Sequence, residues 1–145
     1  MRKLPMFVLT VGLLTSCQTG DEAFTTDSTS TSVTGPAASA IAGDMASRFA
    51  EQTGSPATTT IKLDKGETEY AIALEAALTG WGYTVTSESK TTKKEKPVAL
   101  TYAIDTFDGQ VLARLTIPSL AIARAYTQTA SGATPAGPLS VLRHN

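Results

Sequence analysis

Between Val98 and Tyr126 the chain alternates apolar side chains with small or polar ones, broken only at two turn signals. Period-two alternation is what a strand with one buried face requires; a helix would repeat its apolar positions every three or four residues. Val98, Leu100, Tyr102 and Ile104 form a first inward set, and Val111, Ala113, Leu115 and Ile117 a second. In the third segment Leu120, Ile122, Arg124 and Tyr126 alternate with Ala121, Ala123 and Ala125, and the pattern leaves open which set points inward. The FDG at 107–109 reads as a hairpin turn, and Pro118-Ser119 ends the second strand because proline offers no N–H to a ladder. Three strands joined by short turns form an antiparallel meander with one face to be covered.

The cover comes from upstream. Pro36 suits a first helical turn, and the helix after it runs to a Gly54-Ser55-Pro56 stop. Ile41, Met45 and Phe49 recur every four residues with Ala38 and Ala42 beside them, while Asp44, Arg48 and Glu51 fall elsewhere on the helix. TTTIKL (58–63) is a short strand with Ile61 and Leu63 on one face. A second helix starts about Glu67 or Thr68; Tyr70, Ala73, Leu74, Ala77, Leu78 and Trp81 keep helical spacing, and Gly80 and Gly82 supply the exit. YTVTSES (83–89) follows as a strand with Tyr83 and Val85 on one face, then KTTKKEK (90–96) as a charged loop. The last fourteen residues are rich in turn formers, with Leu139, Val141 and Leu142 as a final docking segment. The expected fold is α+β, in the order α-β-α-β-β-β-β, with two helices packed on one face of a mostly antiparallel sheet. The other face would carry Thr101, Arg114, Thr116 and the alanines, and would stay in water or receive a partner.

The N-terminal segment addresses location. Arg2 and Lys3 precede an apolar run at 4–14, and Thr15 and Ser16 are small residues before a cleavage point. This is the layout of a secretory signal, and the run is too short to span a bilayer. Leu14-Thr15-Ser16-Cys17 also matches the bacterial lipoprotein box, in which the cysteine thiol is diacylated, the signal is cut before it and the new amine is acylated. Each buried methylene contributes about 0.8 kcal/mol, so several chains make a lasting anchor. Cys17 is the one cysteine, so no intrachain disulfide is expected. Gln18, where a retention signal would have aspartate, resembles the outer-membrane sorting pattern of Gram-negative bacteria. Residues 18–35 are dominated by threonine, serine, aspartate and glycine, too polar to offset the entropy of ordering. The expected organisation is a lipoprotein signal peptide at 1–16, lipidated Cys17 and a flexible tether to 35, and a compact periplasmic domain at 36–145. Such a tether would reach roughly 25 Å as a coil and about 60 Å when stretched. The expected location is the outer membrane, lipid-anchored and facing the periplasm.

The sequence offers little catalytic chemistry. His144 is the one histidine and lies one residue from the C terminus, where chain ends usually fray. Metal sites need several His, Cys or carboxylate groups at set spacing, and the acids here are scattered. Asp105 and Asp108 flank the hairpin, where aspartate serves local hydrogen bonding more simply than acid–base work. No glycine-rich phosphate loop and no base to activate a serine are present. An enzyme is therefore not expected, nor a metal, nor a cofactor other than covalent lipid on Cys17. The formal charge of −1, which becomes about −3 without Arg2 and Lys3, argues against direct nucleic-acid binding. Candidate partner contacts are Lys93 and Lys94 in the basic loop, Trp81 and Arg114. Lys93 and Lys94 read either as a solvated loop or as a contact for anionic lipid or an acidic partner, and Trp81 reads most simply as a core anchor or else as an interface aromatic.

The segments PAASAIAGDM (36–45), GWGY (80–83), IDTFDGQVLARLTI (104–117), RAY (124–126) and GPLSVLR (137–143), with the lipoprotein box, resemble the TrbH family of conjugal-transfer lipoproteins. The resemblance implies a part of a type IV secretion apparatus for DNA transfer, anchoring or assembling its periplasmic core at the outer membrane. It also implies other core subunits as partners, a homo-oligomer within a ring as one arrangement, and no catalytic residues. A different class is an envelope lipoprotein that binds or chaperones a lipid or envelope polymer, comparable to the LPS-assembly lipoproteins, which would need an apolar groove between helices and sheet or a basic strip formed partly by Lys93 and Lys94.

Overall fold

The computed structural model describes Val33, residues 35–87 and residues 96–145. The signal segment, Cys17, the tether up to residue 32 and most of the lysine loop lie outside the described residues. The order is α1 (Gly35–Thr53), a 3-10 turn (Pro56–Thr58), β1 (Thr60–Leu63), α2 (Glu69–Gly80), β2 (Thr84–Thr86), β3 (Val98–Phe107), β4 (Gln110–Ile117), β5 (Leu120–Thr129), β6 (Gly132–Pro135) and β7 (Ser140–Arg143). The fold is the α+β arrangement expected, two helices against one face of a mostly antiparallel sheet.

Among the described residues the sheet has seven strands rather than five, because the C-terminal segment contributes β6 and β7. Both pair with β5: β6 beside residues 126–129 and β7 beside residues 120–123, so together they form one interrupted outer strand. The order across the sheet is β2-β1-β3-β4-β5-β6. β1 pairs in parallel with both β2 and β3, whereas β3, β4 and β5 form the antiparallel meander. A parallel pair needs a crossover, and α2 supplies the one between β1 and β2.

The helix ends follow from local chemistry. Thr68 caps α2, its side-chain oxygen accepting the Ala71 N–H at 3.1 Å. At the other end the Tyr83 N–H reaches the Leu78 carbonyl and the Gly82 N–H the Thr79 carbonyl, the double bond of a Schellman motif. That motif needs a left-handed residue after the cap, and Gly82 sits at φ +104°. The β3–β4 hairpin turns through Asp108 and Gly109, with φ of 49° and 76°, between the paired residues Phe107 and Gln110. Two positive φ values are what a two-residue hairpin of right-handed twist requires, so Asp108 is a turn residue, as the sequence suggests.

The core lies between the helices and the sheet. Ile41, Ala42, Met45 and Ala46 of α1, Leu74 and Leu78 of α2, Ile61 of β1 and Val111 and Ala113 of β4 are fully buried. Val33, ahead of α1, is buried too, so the folded part reaches back beyond Pro36. Phe49 meets the Tyr83 ring at 5.6 Å, and the Tyr83 hydroxyl is 2.6 Å from Thr53 Oγ1. The third strand turns Leu120, Ile122 and Tyr126 inward, which settles the choice that its alternation left open.

Candidate docking surface

Arg124 shares the inward face with Leu120, Ile122 and Tyr126, where an unpaired charge would be costly. Its guanidinium donates to Asp44 Oδ2 of α1 at 3.0 Å and, through Nε, to the Gly137 carbonyl at 3.1 Å. The Tyr126 hydroxyl donates to the same Asp44 oxygen at 2.7 Å. One carboxylate thus binds α1 to β5, while Arg124 pins the β6–β7 connection. Burial, with Asp44 accepting its proton and adding negative charge, pushes the Tyr126 hydroxyl well above the ordinary tyrosine range. Arg48 extends the network along the surface, bonded to Glu51 at 2.9 Å and 3.5 Å from Asp44. The sequence placed Asp44 only off the apolar stripe of α1; the signal that could have found its role is Arg124 in an otherwise apolar inward set.

This clamp fixes what remains outside. On β3, β4 and β5 the face away from the helices carries Ala99, Thr101, Ala103, Asp105 and Phe107, then Gln110, Leu112, Arg114 and Thr116, then Ala121, Ala123, Ala125 and Thr127. Among the described residues no element covers this face. Arg114 is exposed on it, flanked by Ala103 and Ala123. A shallow depression of about 450 Å³ opens at one end, bordered by Ala99, Thr101, Thr116, Ile117, Pro118 and His144. The His144 side chain is exposed there, but its backbone N–H donates to the Ser119 carbonyl at 3.0 Å, so the chain end is held rather than frayed.

Among the described residues nothing pairs with the outer flank of β7, which makes a second surface. All four of its residues are exposed, with Val141 at 41% and Leu142 at 59%. Its end is tied to α1 by Arg143, which donates to Gln52 Oε1 at 2.9 Å. Trp81 is a third exposed feature and corrects the core reading: it is 48% exposed. Helical spacing carries the apolar face to Trp81, but the helix ends at Gly80, and the Schellman turn brings Tyr83 back onto Leu78 in its place. Trp81 and Arg114 lie on different surfaces, one beyond α2 and the other on the open sheet, so the structure does not bring these candidates together. Lys93 and Lys94 lie outside the described residues, as do Leu14, Thr15, Ser16 and Cys17.

Between helices and sheet, a cleft of about 280 Å³ opens at the C-terminal end of α1. Phe49, Ile61, Val98 and Ile117 form its apolar wall, and Gln52, Thr53, Ser119 and Arg143 its polar rim. Among the described residues no three His, Cys, Asp or Glu side chains converge as metal ligands would, and no helix is long and apolar enough to cross a membrane.

Comparison with known proteins bears on the whole chain. The family model described as conjugal transfer protein TrbH matches residues 19–145. A probable conjugal transfer protein TrbH of Sinorhizobium fredii (strain NBRC 101917 / NGR234) is 58% identical over 148 aligned residues, covering 100% of both chains. No solved structure matches.

Proposed function

This chain belongs to the TrbH family of conjugal transfer proteins, and we propose that it serves conjugation as a structural, non-enzymatic component tethered in the envelope. In this reading Cys17 carries the lipid, the signal segment before it is removed, and the folded domain faces the periplasm from the outer membrane. There it helps to assemble the type IV secretion apparatus by binding other core subunits, without touching the transferred DNA.

The observation that carries the reading is the one-sided sheet. Two helices and the Asp44 clamp spend the polar and apolar groups of one face on holding the domain together. The exposed groups, a sheet face and a β7 flank that no other described residue covers or pairs, suit binding by surface and by strand addition. Val141 and Leu142 on that flank project to opposite sides, so an added strand would meet an apolar side chain on each.

The test is Cys17→Ser in the full chain. Metabolic labelling with palmitate should be lost, and transfer frequency between cells should fall at least tenfold. Wild-type transfer from an unlabelled variant would remove the anchor from the mechanism.

The cleft at the end of α1 supports a second reading, an envelope lipoprotein that binds a lipid or envelope polymer by an apolar group. It requires co-purified lipid that disappears when Ile117→Trp fills the cleft; clean protein from both would set it aside.

A further inference from the structure

We infer that the open face of the sheet is an interface between two copies of this chain, packed face to face about a two-fold axis. Register places Ala103 opposite Arg114 and Asp105 opposite Leu112. These four side chains occupy the corners of one cell on the open face, Arg114 and Asp105 on one diagonal, Ala103 and Leu112 on the other. Arg114 and Asp105 are both exposed, and neither makes an ion pair or side-chain hydrogen bond with any described residue. A strand spacing of about 4.8 Å and a two-residue rise of about 6.8 Å set their Cα atoms roughly 8 Å apart, a span an extended arginine can cross, yet the two side chains are not paired with each other here.

Over β3, β4 and β5 this face carries just those two charges, of opposite sign, among alanine, threonine, Leu112, Gln110 and the exposed Phe107. A two-fold axis lying between two such faces, through the centre of this cell at right angles to the Arg114–Asp105 diagonal and so about 20° from the Ala103–Leu112 one, exchanges the Arg114 and Asp105 positions. Each Arg114 then faces Asp105 of the second copy, and one symmetry operation satisfies both charges twice. An unrelated partner would have to supply its own acid and base at matching positions; a second copy already has them. The many short side chains let the sheets approach closely, and Leu112, close to the axis, meets its own mate.

The size is sufficient. The four strand positions from β3 to the β6–β7 edge span about 19 Å by 30 Å, or roughly 600 Å² per copy and 1,200 Å² in all, the lower bound for a specific interface. Two-dimensional confinement by a shared membrane would raise the effective concentration further.

The experiment uses the full chain in cell envelopes, with Ala103→Cys beside the axis and a short bis-maleimide crosslinker. A product of twice the chain mass is expected, absent from the unsubstituted chain. Adding Arg114→Glu or Asp105→Arg singly should reduce it at least fivefold, and the two together should restore it. No product, a product with a different protein, an intrachain product with Cys17, or a double exchange that fails to rescue would each overturn the inference. The outcome is scored separately from mating: if Cys17→Ser transfers normally while Ala103→Cys still crosslinks, the functional reading fails and the interface stands.

Discussion

The two faces of the sheet come from the same strands yet have opposite characters. In β4 the residues Val111, Ala113, Leu115 and Ile117 are buried beneath the helices, while Arg114 and Thr116 between them look outward. One face is filled by interlocking side chains and stitched by a carboxylate; the other is lined by alanine and threonine. The covered face should govern whether the protein folds, the open face what it meets. This division makes stability and association separable by mutation.

The largest effect should come from the covered face. Phe49→Ala removes the ring that packs on Tyr83 and should cost about 3–5 kcal/mol by urea denaturation followed by circular dichroism. Asp44→Ala should cost about 2–4 kcal/mol, since it strands the Arg124 charge and the Tyr126 hydroxyl together. Tyr126→Phe keeps the ring and should cost about 1 kcal/mol near neutral pH. It should also change the alkaline limb of stability. The folded-state pKa of Tyr126 lies above its ordinary value of 10.0, so its contribution is complete below that value and is lost as pH rises beyond it. Stability of the parent should therefore fall more steeply above pH 10 than that of Tyr126→Phe; parallel curves would break the clamp argument. The smallest effect is expected on the open face. Ala123→Ser should change stability by less than about 0.5 kcal/mol. A large loss there would mean that this face is packed against something in the isolated chain.

Periodicity in the sequence made the helices and the strands visible because side-chain direction depends on local backbone geometry. Ile41, Met45 and Phe49 are buried as their spacing implies, and the Asp108-Gly109 turn needs only its own backbone. Trp81 misled because spacing does not say where a helix stops with respect to the sheet beneath it. The role of Asp44 was hidden for a different reason: its partners Arg124 and Tyr126 stand 80 and 82 residues away. Of the candidate contacts, Arg114 was legible as an outward residue of an alternating strand, but its position diagonal to Asp105 depends on the register of the hairpin.

The sequence by itself determined the element types, the inward set of β3 and β4, and the two-layer class, because these follow from local propensity and from the need to bury one side of each element. Only the tertiary structure decided that β1 lies between β2 and β3 in parallel, that the C-terminal segment divides along β5, and that Asp44 joins helix to sheet. Those are pairings between distant parts of the chain. No local pattern encodes them, because each partner's side-chain chemistry is ordinary until the fold sets the other beside it.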